Sequence, residues 1–169
     1  MSIQVGILMG SDSDLETMKK AKDALTELGV ESELRVLSAH RTPEEAGGYA
    51  RDAEGKGIKV LIAGAGLAAH LAGAIVAQTT LPVIGVPLSA GTLGGLDSLL
   101  STVQMPPGLP VATVAIGGAH NAALLAAAIL ALSDKTLAQK LKDRRKQMRD
   151  KVLAADAKVR GQGQHPGQQ

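Results

Sequence analysis

The chain contains no cysteine, no tryptophan and no phenylalanine, and Tyr49 is its single tyrosine. Without cysteine there is no disulfide framework, no thiol nucleophile and no Cys-ligated zinc. Without aromatic platforms, base stacking of single-stranded nucleic acid is nearly excluded, and a flavin sandwiched between aromatic rings is disfavoured. The N-terminus lacks the charged start and apolar stretch of a secretory signal, and no run of about 18 apolar residues free of breakers occurs. These absences point to a soluble, cytoplasmic protein that does not engage a membrane.

What is present is 169 residues with 45% hydrophobic content, enough for one domain with a real core. Leu, Ile, Val, Ala and Met must fill that core, and 20 glycines favour close packing of helices on a sheet. The net charge of +2 hides an asymmetry. Residues 1–133 carry 8 basic and 12 acidic side chains, whereas 134–169 carry 10 basic and 4 acidic. In the basic tail Asp134, Asp143, Asp150 and Asp156 are interspersed, which suits a solvated or partner-facing helix better than a nucleic-acid-binding one.

Apolar runs recur at Ile3–Met9, Leu34–Leu37, Val60–Ala63, Leu81–Val86 and Leu109–Ile116. Consecutive apolar positions are the pattern of strands covered on both faces in a parallel sheet. Between them lie helical spacings such as Leu15, Met18, Ala21, Leu25 and Leu28, stopped by Gly29. Ser13 with Glu16, and Thr42-Pro43-Glu44-Glu45, are helix starts of capping-box type. Further helices are expected from near Leu67, over Gly95–Gln104, over Asn121–Leu132, and from an Asp134 cap to about Arg160. The last carries only a thin stripe of Leu137, Leu141, Met148 and Val152, suited to docking on a neighbouring subunit. Gly161–Gln169 is expected to be disordered. The fold class is therefore α/β, a three-layer α/β/α domain over residues 1–160 with a five-stranded parallel sheet and a C-terminal inter-subunit helix over 134–160.

In such a sheet, ligands bind beyond the carboxyl ends of the strands, where the strand order reverses. With the order 2-1-3-4-5, three polar clusters meet at one edge: Gly10-Ser11-Asp12-Ser13-Asp14, Ser38-Ala39-His40-Arg41, and Gly64-Ala65-Gly66-Leu67-Ala68-Ala69-His70. The first offers a flexible loop and hydroxyls at a helix N-terminus, a setting for phosphate, with Asp14 turned toward a hydroxyl or ribose. Simple capping by Ser13 is the alternative. His40, at a strand-to-helix turn beside an arginine, is a candidate proton-transfer group, since imidazoles exchange protons near neutral pH. Arg41 is either a phosphate or carboxylate clamp or a surface residue. His70 stands among small residues that let a ligand approach, with core hydrogen bonding as its rival role. His120 is readable as a cap, and His165 has no assigned role. No spacing resembles a metal site. Gly64-Ala65-Gly66 lacks the third glycine of a dinucleotide fingerprint, no phosphate-binding GxxxxGK[ST] loop occurs, and the strand-three end lacks the acceptor aspartate of a phosphorelay receiver.

Six motifs in order, Met9–Asp14, Ser38–Pro43, Ala63–Gly66, Ala68–Leu71, Gly95–Leu100 and Val103–Pro106, resemble the N5-carboxyaminoimidazole ribonucleotide mutase family of purine biosynthesis across roughly residues 3–160. The resemblance implies a homo-octamer, no metal or organic cofactor, a ribonucleotide substrate, and functional coupling to the ATP-dependent synthetase that makes that substrate. It implies that His40 transfers the proton and that His70 is a second active-site histidine. By the same resemblance Ser11, Asp12, Asp14, Ser38, Ala39, Arg41, Gly66, Ala69 and Leu71 bind substrate. The reaction implied moves a carboxyl group from the exocyclic nitrogen to ring carbon four; the related carboxylase, which uses free carbon dioxide, and a catalytically silent nucleotide-binding module are the alternatives. The chain departs from the family pattern at Leu67, where a glycine is usual, at Ala72, where a proline is usual, and at Leu15, where an aromatic is usual. A side chain at 67 narrows the pocket, or closes it if it points inward; Leu15 reads as a compensating change in the core.

Overall fold

The apolar strands pair in parallel, and their order is the one that brings the polar clusters together. The computed structural model describes residues 2–162. The strands are β1 (Val5–Met9), β2 (Ser32–Val36), β3 (Val60–Gly66), β4 (Val83–Leu88) and β5 (Ala112–Thr113), in the order β2-β1-β3-β4-β5. Every residue of β1 and β4 is buried, as expected of strands covered on both faces. The edges depart from the apolar runs. β2 begins at Ser32, two residues before its run, because its register is set by pairing of Ser32 with Val5 and Glu33 with Gly6. β5 shrinks to two residues from the expected Leu109–Ile116. Pro110 has no N–H to donate, and Gly117 turns the chain at a φ of 69°, so little of that run can follow β4.

Helices α1 (Leu15–Leu28), α2 (Pro43–Asp52), α3 (Leu71–Val76), α4 (Leu96–Val103) and α5 (Ala119–Leu130) complete the first of two units, which ends at Leu130. Close approach to the sheet is made through glycines. A Cβ on Gly64 would overlap Met18 of α1, one on Gly6 would overlap Tyr49 of α2, and one on Gly85 would meet Thr102 of α4, Val111 at 2.9 Å and Ala72 of α3 at 3.5 Å. Helices α1 and α5 pack together on one face of the sheet, and α2, α3 and α4 cover the other, which gives the three layers.

Helix ends follow local chemistry with two corrections. Gly29 takes φ 74° and its N–H donates to the Leu25 and Thr26 carbonyls, closing α1. At the start of α1, a single 3-10 turn over Asp12–Asp14 intervenes, and the cap is Ser11, not Ser13: the Ser11 Oγ accepts from the Ser13 N–H at 3.4 Å. Helix α3 begins at Leu71 rather than near Leu67, because Leu67 adopts φ 53° and cannot continue into a right-handed helix. Leu15 is 43% exposed, so its replacement of an aromatic is not a change within the core.

The second unit begins at Ala131 and contains α6 (Lys135–Gln162). The Asp134 carboxylate accepts from the Leu137 N–H at 2.9 Å, as a cap should. Gly161 and Gln162, expected in a disordered tail, belong to the helix; the rest of that stretch lies outside the described residues. Among the described residues no helix is long and apolar enough to cross a membrane.

Gly85→Ala should lower stability by about 1–3 kcal/mol through overpacking. Gly55→Ala, where a Cβ meets nothing within 4 Å, should be nearly neutral. Urea midpoints of the two variants against the parent chain check this.

Candidate active site

Parallel register puts the ends of three strands side by side. Met9 pairs with Val36 on one side and Gly64 on the other, so the segments that follow β1, β2 and β3 emerge at one edge. They enclose a cavity of about 330 Å³, within the range of small-molecule sites.

The β2–α2 turn is built around Ser38, which is 8% exposed. Its Oγ accepts from the His40 N–H at 3.3 Å and the Arg41 N–H at 3.2 Å, and more weakly from Arg41 Nε at 3.5 Å. Thr42 does not use its hydroxyl to cap α2. Its Oγ1 accepts from the Ser38 N–H at 2.8 Å and donates to the Ser38 carbonyl at 3.2 Å, closing the turn on itself. The turn thus holds its backbone inward and presents the His40 ring outward. Arg41 reaches across to β1, where its Nη2 donates to the Gly10 carbonyl, joining the first two loops.

On the β3 side, two successive three-residue turns, Ala69 N–H to Leu67 carbonyl at 2.9 Å and His70 N–H to Ala68 carbonyl at 2.8 Å, carry the chain to His70 at the start of α3. There His70 Nδ1 lies 2.6 Å from His40 Nε2, with the rings edge to face at 83° and centroids 4.8 Å apart. Such a bond needs an N–H on one ring and a lone pair on the other. The pair offers the group on one ring and a direct route for its proton to the other.

Asp14 is partly buried, and desolvation pushes its carboxyl above the ordinary value of 3.8, outweighing hydrogen bonds from Ser11 and Ser13 and the Arg41 charge. The folded chain therefore holds this proton more tightly than the unfolded chain. The stability linked to it is present below the unfolded value and is lost as pH rises through the folded one.

Nine of the residues expected at the site line the cavity: Ser11, Asp14, Ser38, Ala39, His40, Arg41, Gly66, His70 and Leu71. Asp12 instead lines an adjoining cavity of about 280 Å³, shared with Ser11, Ser38 and Arg41. Ala69 is 2% exposed and lines neither, because the double turn points it into the protein beneath the wall. Sequence reasoning missed Ala90, which follows β4 and closes the far side of the cavity. An alanine carries no chemical signature; only its place after a strand end marks it. Leu67 is at the rim and leaves the cavity open. Ala72, where a proline was usual, is buried in the core. Among the described residues no group of three His, Asp or Glu side chains is arranged to hold a metal ion.

A five-stranded parallel sheet with helices on both faces and a cavity at its order reversal defines a doubly wound α/β ligand-binding protein. Within that class, the family described as AIR carboxylase matches residues 4–151, and the chain belongs to it. It is 58% identical over 146 residues to the N5-carboxyaminoimidazole ribonucleotide mutase of Pyrococcus abyssi, covering 86% of this chain and 84% of that one. It is 60% identical over 151 residues to the mutase of Bacillus subtilis, covering 88% and 93%. The crystal structure of Treponema denticola PurE superposes with a TM-score of 0.85 at 32% identity, covering 92% of this chain and 98% of that one.

Asp14→Asn should stabilise the chain near pH 7 and give no gain below the ordinary carboxylate value of 3.8, where both forms are neutral. Urea midpoints of parent and variant at the two pH values measure the difference.

Proposed function

We propose that this chain is an N5-carboxyaminoimidazole ribonucleotide mutase, an isomerase of purine biosynthesis that moves a carboxyl group from the exocyclic nitrogen to ring carbon four. The observation that carries the site assignment is the His40–His70 pair, held at 2.6 Å on the wall of a cavity at the strand-order reversal.

In this reading Ser11 and Arg41 meet the phosphate, and Asp14 turns to the ribose. Asp12, from the adjoining cavity, completes the sugar side, and Gly66 with Leu71 forms the wall around the base. Ser38 and Ala39 act through the turn that aims His40. Substrate loses its carboxyl as carbon dioxide, the nitrogen keeping the bonding electrons and gaining a proton from the His40–His70 pair, which recovers one in the next step. Ring carbon four attacks the carbon dioxide, and His40 removes the proton displaced from that carbon, passing it to His70. Positioning and one acid–base pair suffice for this chemistry. With no Phe, Tyr or Trp on the cavity wall, the imidazole ring is held by main-chain and polar groups, the two histidines among them, between aliphatic side chains.

The carboxylase alternative uses free carbon dioxide and the uncarboxylated nucleotide; rapid turnover of that nucleotide alone, with excess bicarbonate, would favour it. The silent-module alternative loses its main motive, since Leu67 leaves the cavity open.

Assembly as a homo-octamer belongs to the same proposal. Helix α4 is turned inside out: Ser98 and Thr102 are buried, while Leu93 just before it and Leu96, Leu100 and Val103 on it are exposed at helical spacing. Ser98 Oγ donates inward to the Leu88 and Gly95 carbonyls, at 2.8 and 2.9 Å, so each α4 hydroxyl is satisfied and the leucines are left for a second copy of the chain. Helix α6, with Met148, Val152 and Val159 exposed, serves as the other inter-subunit element. A separate ATP-dependent synthetase supplies the carboxylated substrate.

His40→Asn should keep ribonucleotide binding by calorimetry while turnover falls by about 10² or more. If the two rings act as a unit, adding His70→Asn should cost far less than the product of the single losses. Light scattering should give the parent chain a mass near eight times 17.2 kDa. Leu96→Glu with Leu100→Glu, or truncation at Asp134, should lower it; an unchanged mass would remove the corresponding helix from the interface.

A further inference from the structure

At the end of β2 the Leu37 N–H still donates to the Met9 carbonyl of β1, at 2.8 Å. Ser38 is the next residue, buried where the chain leaves the sheet, and it carries the turn on which His40 and Arg41 stand. One side chain takes up both of its main-chain groups. The Thr42 hydroxyl accepts from the Ser38 N–H at 2.8 Å and donates to the Ser38 carbonyl at 3.2 Å, and the Thr42 N–H reaches the same carbonyl at 3.0 Å. Thr42 stands at the N-cap of α2, where a threonine oxygen ordinarily accepts from an amide of the first helical turn. It makes no such bond here. The hydroxyl is withdrawn from the helix and committed to the turn that carries His40.

We propose that Thr42 is a positioning residue for the proton transfer: by fixing the Ser38 backbone it fixes the Ser38 Oγ, and through that oxygen the place of the His40 ring against His70. The proposal rests on the mutase reading above. The contacts form an unbroken chain. Ser38 Oγ accepts from the His40 N–H at 3.3 Å and from the Arg41 N–H at 3.2 Å, so the main chain of both residues follows that oxygen. The His40 ring then meets His70 Nδ1 at 2.6 Å, a separation that leaves no slack for drift of the turn. Arg41 has a further tether, since its Nη2 donates to the Gly10 carbonyl in the first loop. Among the described residues His40 has no hydrogen bond besides those to Ser38 and His70. Loosening the turn therefore acts on the proton-transfer group more than on the arginine. A β-branched residue suits the role, because branching narrows the rotamers open to its hydroxyl.

The test compares the parent chain with Thr42→Val, which keeps the shape and loses the hydroxyl, and with Thr42→Ser, which keeps the hydroxyl. Conversion of the carboxylated ribonucleotide is followed to give kcat and KM, and urea midpoints are measured alongside. Thr42→Val should lower kcat by roughly tenfold, within the roughly 10² that a small misplacement of reacting groups can cost. KM should change by less than about threefold, since the groups that bind the ground state remain. Thr42→Ser should recover most of the lost kcat. In a His40→Asn background Thr42→Val should cost little more, because a residue that acts through that ring has nothing left to position. An unchanged kcat in Thr42→Val overturns the proposal whatever happens to the urea midpoint, since a merely structural threonine would lower the midpoint and leave turnover of the folded enzyme alone. Two other results overturn it as well: a Thr42→Ser chain no more active than Thr42→Val, or an undiminished loss in the His40→Asn background. If Thr42→Val does not fold, Thr42→Ala is read in its place by the same criteria. Failure of the parent chain to convert the substrate at all sinks the mutase reading instead.

Discussion

The parallel register of β1 with both of its neighbours is the constraint on which the site depends. Because Met9 is opposite Val36 and Gly64 at once, the loops after β1 and β2 leave the sheet at the same level and β3 runs only two residues further, to Gly66, before its own loop leaves at the same edge. Main-chain hydrogen bonds set that register, so the side chains of the candidate site inherit their positions from the backbone. A slip of one residue in either pair would turn every strand side chain to the other face and separate the loops.

Packing over the sheet follows from the same economy of side chains. A core without phenylalanine or tryptophan cannot bridge a wide gap between layers, and here the layers close down. Glycines on β1, β3 and β4 admit Tyr49, Met18 and Thr102 from the helices above them. Tyr49, the single aromatic residue, is buried with its hydroxyl donating to Glu33 at 2.9 Å, where both burial and that carboxylate raise its pKa. The rigid frame this produces lets the loops at its edge hold two imidazoles at hydrogen-bond distance even though both residues are exposed.

The surface of α4 and the rim of the cavity use residue types against their usual preference. In α4, Ser98 and Thr102 face inward and donate to main-chain carbonyls, while Leu96 and Leu100 face outward. At Leu67 an aliphatic side chain occupies a backbone conformation it disfavours, beside the space that Gly91 leaves open. In each case the local preference of the residue is overridden, and the reason lies in what the residue contacts.

Much of this was legible in the order of residues. Buried central strands, the Gly29 stop and the Asp134 cap depend on short-range chemistry, and so does the gathering of Ser11, Asp14, Ser38, His40 and Arg41 at strand ends. Each depends on neighbours a few positions away or on the general rule for open parallel sheets. The start of α3, the turning of Ala69 into the interior, the place of Ala90 in the wall and the exposure of Leu15 were decided only in three dimensions. An alanine or leucine carries no polar signal of its role, and a positive φ at a leucine is not a preference its own sequence expresses. Sequence patterns record what a segment prefers alone; which face it shows, and what conformation it is held in, depends on the surface that meets it.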